Sequence, residues 1–473
     1  MKRLFGTDGM RGEAGVFPLD AETVKTVGGA LARRLGERLG RAPRFVTGRD
    51  TRESGGWIER AFAEGARRAG ARVEAAGVIT TPGVAYLTRT LPADAGIVVS
   101  ASHNPYRDNG IKIFAPDGRK LDDATERQIE SDIYASRAGE AEAGAAGAKA
   151  VESVAVGDAR GVEENGRGEE GGRSADALRS LYLEYLCGEV GAGLGLEGLK
   201  VVVDCANGAA SQLAPALLSR LGADVVAIND SPDGRNINLD CGSLHTEHLC
   251  RRVVEEGAHL GVAFDGDADR SLFADARGRL VDGDATLWVL AKLMQSRGAL
   301  AGDRVVATVM SNIGLELALG SRRIELLRAD VGDKYVLEEL LRTGSALGGE
   351  QSGHIIFPRA SLAGDGMITT INLLRAVREE GRPLEELTEG FERYPQVLVN
   401  VRVREKLPFE EVEGVARAAA EVRARLEGRG RLLLRYSGTE PLARVMIEGP
   451  GQEEIESLAG NLAEVIRRTL GDG

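Results

Sequence analysis

The sequence predicts an α/β protein of several domains, three α/β units in succession followed by a smaller α+β unit. Three observations carry that expectation. At 473 residues the chain is too long for one ordinary hydrophobic core. Short apolar runs that end in polar loops alternate with segments whose apolar residues recur every three or four positions, the rhythm of strands and helices in turn. Near the C-terminus Val397, Val399, Val401 and Val403 recur with period two instead, which marks a strand with one buried face. A composition of 43% hydrophobic and 28% charged residues is that of a folded globular protein.

Taken in order, Asp20 caps a helix carrying Val24, Val27, Leu31, Leu35 and Leu39. A strand is expected over 44–48 and a helix over 53–69, and the alternation continues through Val84 to Leu87 and the strand Ile97-Val98-Val99. A strand over 110–114 follows a polar loop. From 138 to 175 Gly, Ala and Glu dominate, so this stretch reads as an exposed insertion or mobile linker between domains. Leu178, Leu181, Tyr182, Tyr185 and Leu186 restore a helix, and strands are expected over 200–203, 225–228 and 259–264. A third unit opens near Asp284 with a helix to Met294, a strand over 305–309, a helix over 313–319 and a strand over 324–327. The last unit adds a helix over 409–426, strands over 431–435 and 443–448, and a helix over 452–468. The expected domains are therefore 1–137, 176–283, 284–394 and 395–473, with the insertion at 138–175.

A net charge of -12 weighs against broad nucleic-acid or anionic-membrane binding. The start, Met1-Lys2-Arg3-Leu4-Phe5-Gly6, lacks the roughly 7–15 apolar residues of a signal peptide, and no run reaches the roughly 18 of a membrane span. A cytoplasmic location is the expectation. Cys187, Cys205, Cys241 and Cys250 show no metal-ligand spacing and read as ordinary thiols.

Chemistry concentrates in loops at predicted strand ends, where α/β folds bind ligands. Ser100-Ala101-Ser102-His103-Asn104-Pro105 follows a buried strand. Its hydroxyls either satisfy turn amides or make Ser102 a nucleophile or phosphate carrier beside His103. Asp265, Asp267 and Asp269 alternate with Gly266 and Ala268, so an extended loop aims three carboxylates to one side. Like charges so placed repel unless a cation neutralises them, and the small spacers leave room for octahedral Mg²⁺, the alternative being a solvated acidic turn. Arg435, Ser437, Gly438 and Thr439, with Arg444 returning on the next strand, offer guanidinium, hydroxyl and amide donors to a phosphate, or form an ordinary turn. Glu350, Ser352 and His354 alternate behind Gly348-Gly349 and suit sugar hydroxyls, or belong to a polar surface loop. Arg11 is either a phosphate ligand or a salt-bridged arginine. Lys112 and His103 are candidates for shared proton handling.

Five segments in order, Phe5 to Gly12, Ser100 to Pro105, Asp265 to Arg270, Gly349 to His354 and Arg435 to Pro441, resemble the motifs of the α-D-phosphohexomutases. The resemblance implies four domains around a central cleft, with Ser102 carrying a phosphoryl group and forming one Mg²⁺ site with the three aspartates. It implies that Arg270 lies beside the phosphoryl path, that Lys334 in Gly332-Asp333-Lys334-Tyr335 contributes a cation, and that the last loop grips the distal phosphate. Gln351 and the pattern around Asn236-Ile237-Asn238 and Cys241-Gly242-Ser243 look like the glucosamine branch, with phosphomannose or phosphoglucose as the alternative substrate. The implied reaction converts glucosamine 6-phosphate to glucosamine 1-phosphate, with glucosamine 1,6-bisphosphate as intermediate and activator, in the supply of UDP-N-acetylglucosamine and cell-wall precursors. A homodimer is likewise implied. A phosphatase and a non-catalytic phosphosugar-binding protein are the competing functions.

Overall fold

In Ala95–Val99 and Leu260–Phe264 every residue is buried, because helices cover both faces of their sheets and the strands are continuously apolar rather than alternating. These two strands deliver the serine loop and the acidic loop. The computed structural model that shows this describes residues 3–6, 8–146, 172–437 and 440–471. Four sheets organise it.

The first has six strands in the order Phe5–Gly6, Gly9–Glu13, Asp108–Phe114, Ala95–Val99, Arg44–Arg49, Arg72–Val78. Arg44–Arg49 runs parallel to both its neighbours, while Asp108–Phe114 is antiparallel to Ala95–Val99 with Lys112 opposite Val98. Helix Ala21–Leu39 begins at Asp20, whose side chain accepts from the Thr23 amide, and ends at Gly40 in the left-handed region. It packs on helix Gly55–Arg68 so closely that a Cβ on Gly65 would lie 1.9 Å from the Lys25 carbonyl oxygen.

The second sheet runs Leu280–Val281, Ser271–Asp275, Leu260–Phe264, Lys200–Asp204, Asp224–Ile228, and the third Glu325–Ala329, Arg304–Thr308, Gly348–Gly349, Ile355–Ile356. The last has three antiparallel strands with Leu442–Glu448 between Gln396–Arg402 and Arg431–Tyr436. Helices Glu413–Leu426 and Gln452–Leu470 cover this sheet around a core of its own that includes Val415, Val445, Ile455 and Leu462.

One continuous core joins the first three units, running from Val84 and Phe114 through Tyr182 and Leu217 to Trp288 and Leu374. Helix Ala175–Tyr185, which sequence order places at the head of the second unit, packs against Arg72–Val78 and helix Thr81–Thr90 of the first. Helix Asp123–Ala146 runs past residue 137, where composition marks a break. Of the expected linker, residues 147–171 lie outside the described residues. Among the described residues no helix is long and apolar enough to cross a membrane.

Candidate active site

Ser102 is 1% exposed and has a φ of 52°, a left-handed conformation that few non-glycine residues adopt without being held there. The restraint comes from three sides. The Ser102 amide donates to Ser100 Oγ at 2.9 Å, and that hydroxyl donates to Asp50 Oδ2 at 2.7 Å. Arg52, fully buried, pairs through Nε with Asp50 at 2.9 Å and donates to the carbonyls of Ser102 at 2.8 Å, Asn104 at 2.9 Å and Pro105. Asn238 reaches over from the second unit to the same Ser102 carbonyl at 2.9 Å and to that of Asn104 at 3.2 Å. Ser102 Oγ is thereby aimed at Asp265 Oδ2, 2.5 Å away, with His103 Nδ1 at 3.2 Å. Burial, then the cations of Arg270 and Arg11, push His103 down to about 4, so its ring is neutral near pH 7.

The acidic loop meets the serine loop through Gly266, where a Cβ would lie 2.6 Å from the Ser102 carbonyl oxygen and 2.9 Å from Asn238 Nδ2. Oxygens of Asp265, Asp267 and Asp269 lie within 4.8 Å of one another, all three residues buried. Protein donors fix both oxygens of Asp265, whose Oδ1 accepts from the Arg270 amide at 3.2 Å, and one oxygen each of Asp267 and Asp269. Asp265 Oδ2 accepts from Ser102, Asp267 Oδ2 from Thr81 Oγ1 at 2.5 Å and from Lys112 Nζ at 2.8 Å, and Asp269 Oδ2 from Lys112 at 3.4 Å. Oδ1 of Asp267 and of Asp269 are buried with no hydrogen-bond partner, and two such oxygens converging beside a third carboxylate fit a hard divalent cation. Burial, with Asp269 and Asp267 adding to it, raises Asp265 well above the usual carboxylate range. Burial opposes ionisation of Asp269 too, but the Lys112 ammonium, with the Nδ1–H of His354 facing the same carboxylate, outweighs it and holds that carboxyl low.

Around this centre opens a cleft of about 500 Å³ lined by Asp8, Arg11, His103, Asp269, Arg270, Glu350 and His354, together with backbone of Gly6, Gly9 and Gly332. Arg11 pairs with Asp8 and donates to the Ala101 carbonyl at 3.3 Å, and the Nε atoms of Arg11 and Arg270 are buried without hydrogen-bond partners, that of Arg270 lying 3.9 Å from Asp269 Oδ1. Lys112 is 1% exposed and bound to Asp8, Asp267 and Asp269. Three carboxylates overcome the burial of Lys112 and hold its ammonium charged, the form that can donate a proton. His354 Nδ1 lies 3.7 Å from Asp269, and Nε2 accepts from the Gly364 amide at 3.2 Å. The carboxylates of Asp269 and Asp333 outweigh burial and push this ring up to about 9, whereas the Gly364 bond requires an unprotonated Nε2; the N–H aimed at that nitrogen fixes the neutral tautomer in this geometry.

Several predicted residues fall outside the cleft. Lys334 is bound to Asp123 at 2.7 Å, so its ammonium is directed to a carboxylate of the first domain and not to the cleft. Ser352 is half-buried and does not line the cleft. Arg435 stands opposite Arg444 across the antiparallel pair, and Arg444 reaches Ser437 Oγ at 3.4 Å. Two guanidiniums directly opposed repel and so favour an anion between them. Among the described residues, however, none of this unit lines the cleft, and Gly438 and Thr439 lie outside the described residues. Sequence reasoning missed Asp50, Arg52 and Thr81. The run Asp50-Thr51-Arg52 directly after a buried strand was the available signal.

A serine pinned against a buried carboxylate triad where three α/β domains meet is the arrangement of a metal-assisted phosphoryl-transfer enzyme. The phosphoglucomutase/phosphomannomutase family models match in order, alpha/beta/alpha domain I over residues 2–140, domain II over 181–278, domain III over 282–394 and the C-terminal domain over 398–465. The chain is 49% identical to the phosphoglucosamine mutase of Solibacter usitatus, with 100% of each covered. It is 46% identical to that of Anaeromyxobacter dehalogenans, covering 99% of this chain and 100% of the relative. The chain belongs to the bacterial phosphoglucosamine mutases of the α-D-phosphohexomutase superfamily. Its fold is shared with a phosphoglucomutase/phosphomannomutase family protein of Burkholderia thailandensis at a TM-score of 0.77 and 24% identity, covering 99% of this chain and 97% of that one. It is shared also with an N-acetylphosphoglucosamine mutase of Aspergillus fumigatus solved with GlcNAc-6P and magnesium, at a TM-score of 0.64 and 18% identity, covering 98% and 96%.

Proposed function

We propose that the protein interconverts glucosamine 6-phosphate and glucosamine 1-phosphate, with Ser102 as phosphoryl carrier. The observation that carries the assignment is Ser102 Oγ held 2.5 Å from Asp265 inside the carboxylate triad. In the forward direction the sugar O1 attacks the phosphoryl group on Ser102, a P–O1 bond forms, the P–Oγ bond breaks and the O1 proton is lost to a base. The resulting glucosamine 1,6-bisphosphate turns over, Ser102 Oγ attacks the 6-phosphoryl group, and O6 leaves with a proton. The same bisphosphate reloads an unphosphorylated enzyme.

Asp265, Asp267 and Asp269 would hold Mg²⁺, which when bound supplies positive charge to the transferring oxygens. The remaining electrostatics come from the chain itself. Lys112 is a fixed cation behind the triad, and Arg11 and Arg270 present guanidiniums to the cleft from opposite domains. The neutral His103 ring, with Nδ1 3.2 Å from Oγ, is the nearest acceptor outside the triad and the candidate to move the Oγ proton. Glu350 would recognise the sugar, with its carboxylate charge favouring the 2-amino group. The arginine pair at Arg435 and Arg444 would reach the distal phosphate by movement of the C-terminal domain. A cytoplasmic homodimer belongs to the same reading.

The test is a parallel rate measurement with glucosamine 6-phosphate, glucose 1-phosphate and mannose 1-phosphate, each primed with its matching bisphosphate. If Glu350 makes a charge-assisted contact worth about 1.5–3 kcal/mol, the amino sugar is preferred by roughly 10–150-fold in kcat/KM. A higher kcat/KM for either other sugar overturns the substrate assignment. Release of inorganic phosphate in step with substrate loss overturns the mutase reaction in favour of hydrolysis.

A further inference from the structure

Beside the cleft lies a second, more enclosed chamber of about 290 Å³, and the two share Asp8, Asp269, Asp333 and His354 in their walls. Lys120 stands at that partition. Its Nζ is 2.7 Å from Asp8 Oδ1 in the N-terminal turn and 2.6 Å from Asp333 Oδ2 at the start of helix Asp333–Thr343. Each partner leads onward to a different half of the site. Asp8 binds Arg11 and, through Oδ2, Lys112 at 3.1 Å, and Lys112 in turn binds two aspartates of the triad. On the other side, the amide of Gly332, next to Asp333, donates to Glu350 Oε1 at 3.2 Å. A relay of ion pairs therefore runs from Asp267 and Asp269 through Lys112, Asp8, Lys120 and Asp333 to the backbone that orients Glu350.

A second polar bridge between this helix and the first domain, Lys334 to Asp123, is more exposed on both sides than Lys120 and its partners and is correspondingly weaker. Burial disfavours the Lys120 ammonium, but Asp333 and Asp8 outweigh it and keep the group charged. Lys120 and Asp8 belong to the first domain and Asp333 to the third, so parting the two domains would strip Asp333 of this ammonium, and the pair ties them together.

We propose that Lys120 is a positioning residue that locks the phosphoryl-transfer centre to the sugar-recognition loop and so keeps the bisphosphate intermediate in the cleft while it turns over. The proposal rests on the mutase reading given above. Lys120→Met keeps the stem and removes the charge, and Lys120→Arg restores a cation. Small misplacements of reacting groups cost large factors in rate, so Lys120→Met is expected to lower kcat by about 10–100-fold. Loading of Ser102 from glucosamine 1,6-bisphosphate should fall far less, because that half-reaction needs no reorientation. The fraction of bisphosphate released to solvent per turnover should rise, and Lys120→Arg should recover most of the loss in each respect.

Parent-like kcat and bisphosphate release in Lys120→Met would overturn the proposal. So would equal losses of loading and turnover without added release, the signature of general destabilisation. Hydrogen exchange at the Tyr335 and Val336 amides, both bonded to the Gly332 carbonyl, supplies a readout independent of turnover. Faster exchange in Lys120→Met but not in Lys120→Arg supports the lock, and unchanged exchange refutes it. A parent enzyme without turnover on primed glucosamine 6-phosphate would defeat the functional reading alone, and the exchange measurement would then decide the role of Lys120.

Discussion

Replacing Arg52 by Met removes the guanidinium that holds the serine loop while keeping most of its volume. The cost can be apportioned from the contacts. The three carbonyls that Arg52 serves each keep another donor, since Asn238 Nδ2 reaches Ser102 and Asn104 and the Asp108 amide reaches Pro105. Asp50 fares worse. Its carboxylate is completely buried, and without Arg52 its remaining donors are the Ser100 hydroxyl and the Arg52 backbone amide. Breaking a buried ion pair in this way costs about 3–5 kcal/mol, and most of that is expected to sit on Asp50. Burial already raises Asp50, and the loss of Arg52 raises it further. The folded variant then binds a proton more readily than the unfolded chain does, so its deficit should shrink as pH falls toward the ordinary carboxylate range. Urea unfolding followed by Trp57 fluorescence in a Trp288→Phe background reads the first domain, since Trp57 and Trp288 are the two tryptophans of the chain. Asp50→Asn combined with Arg52→Met should recover a large part of the loss. A deficit under about 1 kcal/mol in the single variant, or a double variant no better than the single, would refute the apportionment.

Three further outcomes are expected. Asp267→Asn should abolish Mg²⁺-dependent turnover without lowering the thermal midpoint, and added Mg²⁺ should raise the midpoint of the parent alone; an equal rise in both would remove Asp267 from the metal site. Asp284 is pushed up to about 7, chiefly by burial and then by Asp282, so between pH 4 and 7 the folded carboxyl keeps a proton that the unfolded one loses and stability falls as pH rises. Asp284→Asn should therefore gain on the parent across that window by up to about 4 kcal/mol, from roughly three pKa units; a gap that does not widen in urea titrations from pH 4 to 8 would contradict this. Glu448, completely buried, binds Arg431 at 2.9 Å and accepts from the Ile313 amide at 3.2 Å, joining the C-terminal domain to the third. Glu448→Ala should cost about 3–5 kcal/mol by urea unfolding, and a change under about 1 kcal/mol would show that the joint is not held there.

The catalytic loops were legible in the sequence because each is a contiguous run at the end of a strand. Ala95–Val99 and Leu260–Phe264 are apolar on both faces, so their identity as buried strands, and the placement of Ser102 and Asp265 beyond them, follow from local pattern. The close spacing of Asp265, Asp267 and Asp269 between small residues was likewise legible, but the extended loop expected from their parity is a turn, in which Ala268 has a φ of 55° and its amide donates to the Asp265 carbonyl, and that turn brings the three carboxylates together. Tertiary structure decided everything that depends on docking. Lys112 reads in sequence as a candidate for proton handling, and its pairing with Asp8 on one side and the acidic loop of another domain on the other comes from docking alone. Arg52, Asn238 and Thr81 act on loops 50 to 186 residues away, and no periodicity records such meetings. The direction of Lys334 toward Asp123, and the distance of Arg435 and Arg444 from the cleft, belong to the relative placement of rigid domains. A sequence sets which faces of a domain are apolar and which loops carry charge; how two finished domains meet is set by the sum of contacts across their seam, which no single stretch of chain contains.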